Sequence, residues 1–211
     1  MAADPMLVKS KPVILATCPI PTRLGPFAAH YSASGLARLD FPGRKTMAGG
    51  DAPVMGGYGL VGSARCAART PQRGVPTSHD RRTMAGAPAA SATIRRWHKL
   101  ACRALARVLQ GHAAGELPPL DLAGGTPFQR KVWDALRQIP AGQTESYGRL
   151  AAALGAPKAA RAVGGACGAN PIPLFIPCHR VVPSGGGLGG FSAGLPWKRR
   201  LLALEAGKPG A

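Results

Sequence analysis

The segment 44–95 limits the fold of this 211-residue chain more than any other feature, because neither a helical nor a strand period persists in it. Gly, Pro, Ala, Ser, Thr and Arg dominate the segment, and Tyr58 is its only aromatic residue. A structureless loop of this length is uncommon inside a compact domain. We predict a disordered insertion or linker at 44–95, with a few short elements of unknown position as the alternative. The fold must then be built from the flanking residues.

Both flanks have regular patterns. Before the segment, 13–17, 27–31 and 36–41 are predicted to be three strands of a small antiparallel meander. After it, apolar side chains recur at helical spacing from Ile94, and Gly111 marks the end of that helix.

The sequence therefore predicts an α+β fold with two domains. A small N-terminal α/β domain with an antiparallel sheet spans 12–115 and contains the insertion. A mostly helical C-terminal domain with a helix-turn-helix spans 121–207, after a connector marked by Pro and Gly.

The C-terminal domain begins with a strong helix start signal. Thr126 is the predicted N-cap, Pro127 occupies the first helical position, and Gln129 completes a capping box. A last helix is predicted to begin at 195–197, with 198–200 facing outward. The side chains predicted to pack inward from it are Trp197, Leu201, Leu202 and Leu204.

Two short helices lie between these two. The first is capped by Ser146 and ended by Gly155, and the second runs from Pro157 to about Ala169. A helix, a glycine-containing turn and a second helix are typical of the DNA-binding helix-turn-helix. Arg161 on the second helix is either an ordinary solvent-facing residue or a group that contacts phosphate, a guanine edge or the base stack.

An apolar run, 172–176, is followed by Pro177, Cys178 and His179. We predict that the run is a short buried strand that places the cysteine at its end, with the glycine-rich turn 184–187 leaving access. An inert packed thiol is the ordinary alternative. The adjacent histidine and basic residues instead favour a nucleophilic thiolate. Neighbouring side chains of an extended segment point to opposite sides, so the histidine is expected to act through a bridging water or a bent backbone.

A histidine base also needs a carboxylate that orients it. From residue 135 onward the chain offers Glu145 and Glu205, and Glu205 is favoured because its helix must pack back on the core. A solvated surface glutamate is the alternative. Tyr147 suits core packing and a catalytic hydroxyl equally, and Asn170 before a proline is a common turn pair.

Composition indicates the partner and the compartment. The chain has 27 Lys and Arg against 9 Asp and Glu, a net charge of +18, which suggests a phosphate-rich partner unless coding bias inflates it. Five cysteines without a C-x-x-C pair argue against a disulfide framework and suit a reducing compartment. No apolar run approaches a membrane span, and no signal sequence is evident, so we predict a cytoplasmic protein without membrane contact.

A zinc site is the weakest hypothesis. The candidate ligands match no compact spacing, so we predict no metal and no cofactor. These candidates are Cys18, His30, Cys66 and His98.

The run from Ile176 to Val181, together with the helix-turn-helix, resembles the O6-alkylguanine-DNA alkyltransferases, also called methylated-DNA–protein-cysteine methyltransferases. The resemblance extends from about Thr126 to Glu205, and more weakly to 36–42. The further segments that contribute to it are 128–133, 146–147, 160–164 and 170–173.

This resemblance implies repair without turnover, in which an alkylated guanine, or as a second substrate O4-alkylthymine, is flipped out of duplex DNA and its alkyl group is transferred irreversibly to Cys178. His179 and Glu205 would form a water-linked proton relay, Tyr147 would donate a proton to the leaving guanine, and Asn170 would brace the site. Arg161 would fill the gap left by the flipped base. Other residues implied in DNA binding are Ala160, Gly164 and Cys167, and those implied in the base pocket are Val181, Phe191 and Ser192.

Two positions depart from the family pattern. Phe191 stands where some relatives have tyrosine, and Cys167 stands where Asn or Met is expected. A monomer that binds double-stranded DNA with alkylated bases is expected. One alternative is a sensor of alkylated DNA without transfer, which Cys178 disfavours because such proteins have tryptophan there. Another is a thiol hydrolase, for which no oxyanion loop is evident.

Overall fold

The computed structural model describes residues 11–43 and 87–207. A three-stranded antiparallel sheet forms the N-terminal part, in the order β1-β2-β3. The strands are β1 (Ala16–Ile20), β2 (Phe27–Tyr31) and β3 (Leu36–Asp40). The predicted antiparallel sheet is confirmed, with β2 at its predicted bounds and β3 ending one residue earlier.

The first strand was predicted at 13–17, which is wrong by three residues. Val13 and Leu15 are 76% and 55% exposed, so their apolar side chains do not fix the register. Ile20 instead enters the core at the far end of β1. Since β1 lies at the sheet edge, Pro19 is tolerated there although it cannot donate a hydrogen bond.

Helix α1 (Ala87–Val108) packs against β1 and β2 through a buried face that includes Ala101 and Leu105. The predicted helix began at Ile94, and the predicted insertion ended at residue 95; both bounds are wrong. The added first turns are rich in alanine, the residue with the highest helix propensity, and proline is tolerated at a helix start. Residues 44–86 of the predicted insertion lie outside the described residues.

Four further helices make up most of the C-terminal part. Helix α2 (Pro127–Gln138) begins with the predicted capping box: the Gln129 amide donates to Thr126 Oγ1 at 3.1 Å, and the Thr126 amide donates to Gln129 Oε1 at 2.8 Å. The others are α3 (Tyr147–Ala153), α4 (Ala160–Gly168) and α5 (Leu195–Glu205). A pair of two-residue strands, β4 (Glu145–Ser146) and β5 (Val181–Val182), joins the start of α3 to the cysteine motif in parallel.

Helix α3 has the predicted Ser146 cap, and α4 packs against both α2 and α3. Helix α4 begins at Ala160, later than the predicted Pro157, because the Ala159 amide first closes a turn onto Ala156 O at 2.8 Å. Trp133 of α2 fixes the packing by donating its indole N–H to Ala166 O at 2.8 Å.

The two parts are joined at β3. The Leu36 amide donates to Pro119 O, and the Asp121 amide donates back to Leu36 O, each at 2.8 Å. Farther along β3, the Leu39 amide donates to Pro171 O at 3.0 Å. The sheet therefore supports the segment directly before the cysteine motif.

That segment is not the predicted strand. The Ile176 amide folds back to Ile172 O at 3.0 Å, and Leu174 has a φ of 78°. Pro173 has no amide hydrogen, so the run cannot form a regular ladder although it is buried. Cys178–Arg180 then form one turn of 3₁₀ helix rather than an extended chain.

Within residues 11–43 and 87–207, no helix combines the length and the apolar character needed to cross a membrane.

Candidate active site

A cavity of about 490 Å³ lies where α3, α4, the 3₁₀ turn and the loop before α5 meet. Most of the predicted pocket and DNA-binding side chains surround it, whereas Val181 is fully buried and Arg161 lies on the exposed start of α4. The lining residues are Tyr147, Gly164, Cys167, Gly168, Cys178, Gly190, Phe191 and Ser192.

The residue Cys178 is 4% exposed, and its thiol is held by Asn170, whose Nδ2 donates to Cys178 Sγ at 3.2 Å. The same Nδ2 donates to Ile176 O at 2.8 Å, and Asn170 Oδ1 accepts from the Ile172 amide at 3.0 Å. These contacts fix the orientation of the Asn170 side-chain amide, because Oδ1, and not Nδ2, can accept a hydrogen bond from a backbone N–H. Burial raises the pKa of Cys178 to about 11, although the Asn170 hydrogen bond and the charge of Lys198 lower it. The resting thiol is therefore protonated at neutral pH.

His179 and Glu205 are paired behind the thiol, with Nε2 and Oε1 separated by 2.9 Å and side-chain exposures of 0% and 2%. Burial alone would raise the pKa of Glu205, but hydrogen bonds from His179 and Arg180 lower it to about 2. The ionised carboxylate cannot donate, so His179 Nε2 must carry the hydrogen. Burial lowers the pKa of His179, so the imidazole is neutral and its Nδ1 can accept a proton. This Nδ1 is buried without a hydrogen-bond partner among the described protein atoms.

Tyr147 is the first residue of α3, and its position is set by the Ser146 cap and by the β4–β5 pairing. Its half-buried ring lines the cavity 6.0 Å from Lys198 Nζ. Burial raises the pKa of the Tyr147 hydroxyl, so the group is protonated and able to donate at neutral pH.

The outer surface of α4 is made of small residues. A Cβ added at Gly165 would meet no heavy atom within 4 Å, so this surface is open. Ala160 and Arg161 lie at its N-terminal end, outside the cavity, and Gly164 lies on the cavity wall.

Comparison with known proteins gives consistent matches. Residues 127–207 match the model of the 6-O-methylguanine DNA methyltransferase DNA-binding domain. A methylated-DNA–protein-cysteine methyltransferase from Salmonella typhimurium is 54% identical over 101 residues, covering 46% of this chain and 59% of that protein. One from Methanosarcina acetivorans is 47% identical over 106 residues, covering 49% of this chain and 68% of that protein. The crystal structure of Mycobacterium tuberculosis OGT in complex with DNA matches with a TM-score of 0.59 and 32% identity, covering 92% of this chain and 94% of that one.

The chain belongs to the O6-methylguanine-DNA methyltransferase family. The match to the tuberculosis protein covers both the sheet and the helical part, so the likeness is not confined to the cysteine motif. The chain spans about 59% of the length of the Salmonella relative.

Within this family member, Lys198 is a site residue that sequence reasoning missed. It was predicted to face outward, but it is fully buried, with Nζ donating to Val181 O at 2.6 Å and to Gly190 O at 3.3 Å. No carboxylate pairs with it among residues 11–43 and 87–207. The sequence contains a signal for the burial of Lys198. Positions 198, 201 and 205 have the spacing of one helix face, and Leu201 and Glu205 are predicted to face inward.

Arg180 is the second missed residue. Its Nε lies 3.0 Å from Glu205 Oε2 and its Nη2 lies 2.8 Å from Oε1, while Nη1 donates to Ile139 O at 2.6 Å. This bidentate contact holds the carboxylate ionised next to His179. No local pattern marks the pairing, because the partners are 25 residues apart.

Two of the candidate zinc ligands, His30 and His98, have other hydrogen-bond partners. His30 lies between Thr17 Oγ1 at 2.9 Å and Asp40 Oδ2 at 3.0 Å, and His98 Nδ1 lies 3.1 Å from the Tyr31 hydroxyl. Where side chains are described, no three His, Cys, Asp or Glu residues are grouped to hold a metal ion. Cys66 lies outside the described residues.

We expect the Glu205→Gln variant to lose stability at neutral pH, on the order of 3 kcal/mol, because it leaves buried Arg180 without its counter-charge. The folded-state pKa of Glu205 is lowered from 4.5 to about 2, so its stabilisation is present above pH 4.5 and is lost as pH falls toward 2. The difference in unfolding free energy between wild type and variant should therefore shrink across that interval. Urea unfolding at several pH values measures it.

Glu145→Gln is the matched control, because Glu145 pairs with an Arg149 side chain that is 81% exposed. Its effect should stay below about 1 kcal/mol throughout. A wild-type advantage over Glu205→Gln that is constant from neutral pH to pH 2 would contradict the assigned ionisation.

Proposed function

We propose that the chain repairs duplex DNA by transferring the alkyl group of O6-alkylguanine, and as a second substrate class O4-alkylthymine, to Cys178 in a single irreversible turnover. The observation that carries this proposal is a thiol on the wall of a cavity of about 490 Å³, which has room for an extruded base, directly before a buried His179–Glu205 pair. Two relatives are named methylated-DNA–protein-cysteine methyltransferases, which supports the same chemistry.

In the proposed reaction the Cys178 proton passes to His179 Nδ1 through a bridging water. Glu205 keeps Nδ1 free by accepting from Nε2–H, and its charge stabilises the imidazolium that forms. The thiolate attacks the alkyl carbon, so the S–C bond forms as the bond from carbon to guanine O6 breaks. The departing base takes up a proton that Tyr147 donates. The thioether cannot be reversed by this site, so each molecule acts once.

On the DNA side, α3 and α4 would act as the helix-turn-helix. The small side chains on the surface of α4 allow the helix backbone to approach the minor groove closely, with Ala160 and Gly164 near the DNA. Arg161 would occupy the gap left by the flipped base, whose extrusion costs a few kcal/mol. The net charge of +18 supports phosphate contact. Phe191, Ser192 and Cys167 line the cavity and would bound the flipped base, while the buried Val181 would contribute through its backbone.

We also propose a cytoplasmic monomer with domains at 12–115 and 121–207. Among the described cysteines, Cys18, Cys167 and Cys178 are free thiols, which suits a reducing compartment.

The test is a mass measurement. Protein mixed with duplex containing one O6-methylguanine should gain one methyl group on tryptic peptide 162–180, with fragment ions placing it on Cys178. A second portion of damaged duplex should add nothing, and undamaged duplex should give no gain. A protein that binds the damaged duplex but never gains the methyl group would overturn the proposal.

A further inference from the structure

The cavity contains a second thiol that the proposed reaction does not use. Cys167 is 7% exposed and lines the same cavity as Cys178, from the last turn of α4. Both thiols are reduced in this structure. A small reagent that enters the cavity therefore meets two sulfur atoms.

The two thiols share their neighbours. The Asn170 side chain donates to Cys178 Sγ at 3.2 Å, while the Asn170 backbone amide donates to Cys167 O at 3.3 Å, so one residue bridges them. Each thiolate raises the pKa of Tyr147, and each would be stabilised by the charge of Lys198. Both side chains line one cavity, and the charge of ionised Cys178 raises the pKa of the Cys167 thiol, whose burial has the larger effect.

Glycine residues flank Cys167 near the end of α4. Gly168 follows it at the end of α4, and Gly165 precedes it, and a Cβ at either position would meet nothing within 4 Å. Glycine at a helix end lowers the cost of changing φ and ψ. Cys178 is held by Asn170 and the 3₁₀ turn, and Trp133 holds Ala166 O, so contact between the sulfur atoms requires a change of the Cys167 χ1 angle or of the last residues of α4.

We propose that Cys167 and Cys178 form a reversible disulfide when a hydroperoxide enters the cavity. The Cys178 thiolate attacks the peroxide oxygen, giving a sulfenic acid and releasing water or an alcohol after proton uptake. The Cys167 thiol then attacks the Cys178 sulfur, forming the S–S bond and releasing water. The two thiols lose two electrons and two protons, and the peroxide is reduced by the same two electrons.

The disulfide protects the acceptor thiol. A sulfenic acid without a neighbouring thiol proceeds to sulfinic acid, which is irreversible for an unassisted protein. With Cys167 present, Cys178 is stored in a form that a dithiol reductant restores. This redox role goes beyond the proposed alkyl transfer and does not require it.

The test uses the full chain and no DNA. Both cysteines lie on tryptic peptide 162–180, which has no internal Lys or Arg. After hydrogen peroxide and quenching with N-ethylmaleimide, this peptide should be two hydrogens lighter and carry no maleimide. Dithiothreitol before quenching should restore two maleimide sites. Because the readout is a peptide mass, failure of the repair activity would leave it unaffected.

Cys167→Ala should convert the product to Cys178 sulfinic acid that dithiothreitol does not reverse, and Cys178→Ala should leave Cys167 as a free thiol. Cys18→Ser and Cys102→Ser are the matched controls and should retain the lighter peptide. Two maleimides on the wild-type peptide, or sulfinic acid at Cys178 with free Cys167, would overturn the proposal.

Discussion

Replacing Cys178 by serine should abolish methyl transfer while preserving binding to duplex containing O6-methylguanine. Serine is nearly isosteric and can still accept from Asn170 Nδ2, so the 3₁₀ turn keeps its support. Its hydroxyl is far less acidic than a thiol, and neutral His179 cannot generate a useful alkoxide from it. An alkyl carbon also reacts better with soft sulfur than with oxygen. We expect a decrease of at least about 10³-fold in the transfer rate, beyond detection in most assays.

The measurement is paired: protein mass for transfer, and fluorescence anisotropy with labelled duplex for binding. Cys102→Ser is the matched control, because Cys102 lies on α1 outside the cavity and should transfer at the wild-type rate. If the Cys178→Ser protein still gains a methyl group on peptide 162–180, the acceptor would be Cys167 rather than Cys178. Loss of both transfer and binding, with the fold intact, would mean that the thiol also holds the base.

The parts of the fold that local chemistry determines could be predicted from the sequence. The Thr126 capping box closes within three residues, and the β2 and β3 strands follow from alternation and turns. The run 172–176 could not, because its apolar composition fits a strand and a buried turn equally well. Pro173 and the left-handed conformation of Leu174 favour the turn, but this depends on the tertiary hydrogen bond from the Leu39 amide of β3 to Pro171 O.

The contacts of the candidate site also divide into those that could be predicted from the sequence and those that could not. The His179–Glu205 pair could be predicted, since few carboxylates were available in the C-terminal part and the last helix had to pack inward. Arg180 could not, because its choice of Glu205 depends on the tertiary approach of α5 to the 3₁₀ turn. Lys198 was missed for a different reason. Its charge predicts a solvent-facing position, although its spacing from Leu201 and Glu205 places it on the inner face of α5. A long charged side chain can be buried when carbonyl groups accept hydrogen bonds from it.

Lys198→Met should slow methyl transfer by about 10- to 100-fold at neutral pH and move the pH–rate profile upward. Lys198 is fully buried beside the cavity, and its charge lowers the pKa of Cys178 against the larger effect of burial. Removing that charge raises the thiol pKa further, and each unit decreases the thiolate fraction tenfold below the pKa. The other groups around the thiol are Tyr147, Cys167 and the His179–Glu205–Arg180 cluster, which the substitution leaves in place.

A purely structural role for Lys198 can be separated from this electrostatic one. Its ammonium also holds Val181 O and Gly190 O, so a loosened loop would lower activity at every pH equally. The rate of Cys178 alkylation by iodoacetamide, measured without DNA as a function of pH, isolates the thiol: its midpoint should rise in Lys198→Met. Arg199→Met removes the same charge from an exposed position on α5 and should leave the midpoint unchanged. A midpoint that is equal in all three proteins would assign Lys198 to loop support, and the thiolate would then depend on His179 and Asn170 alone.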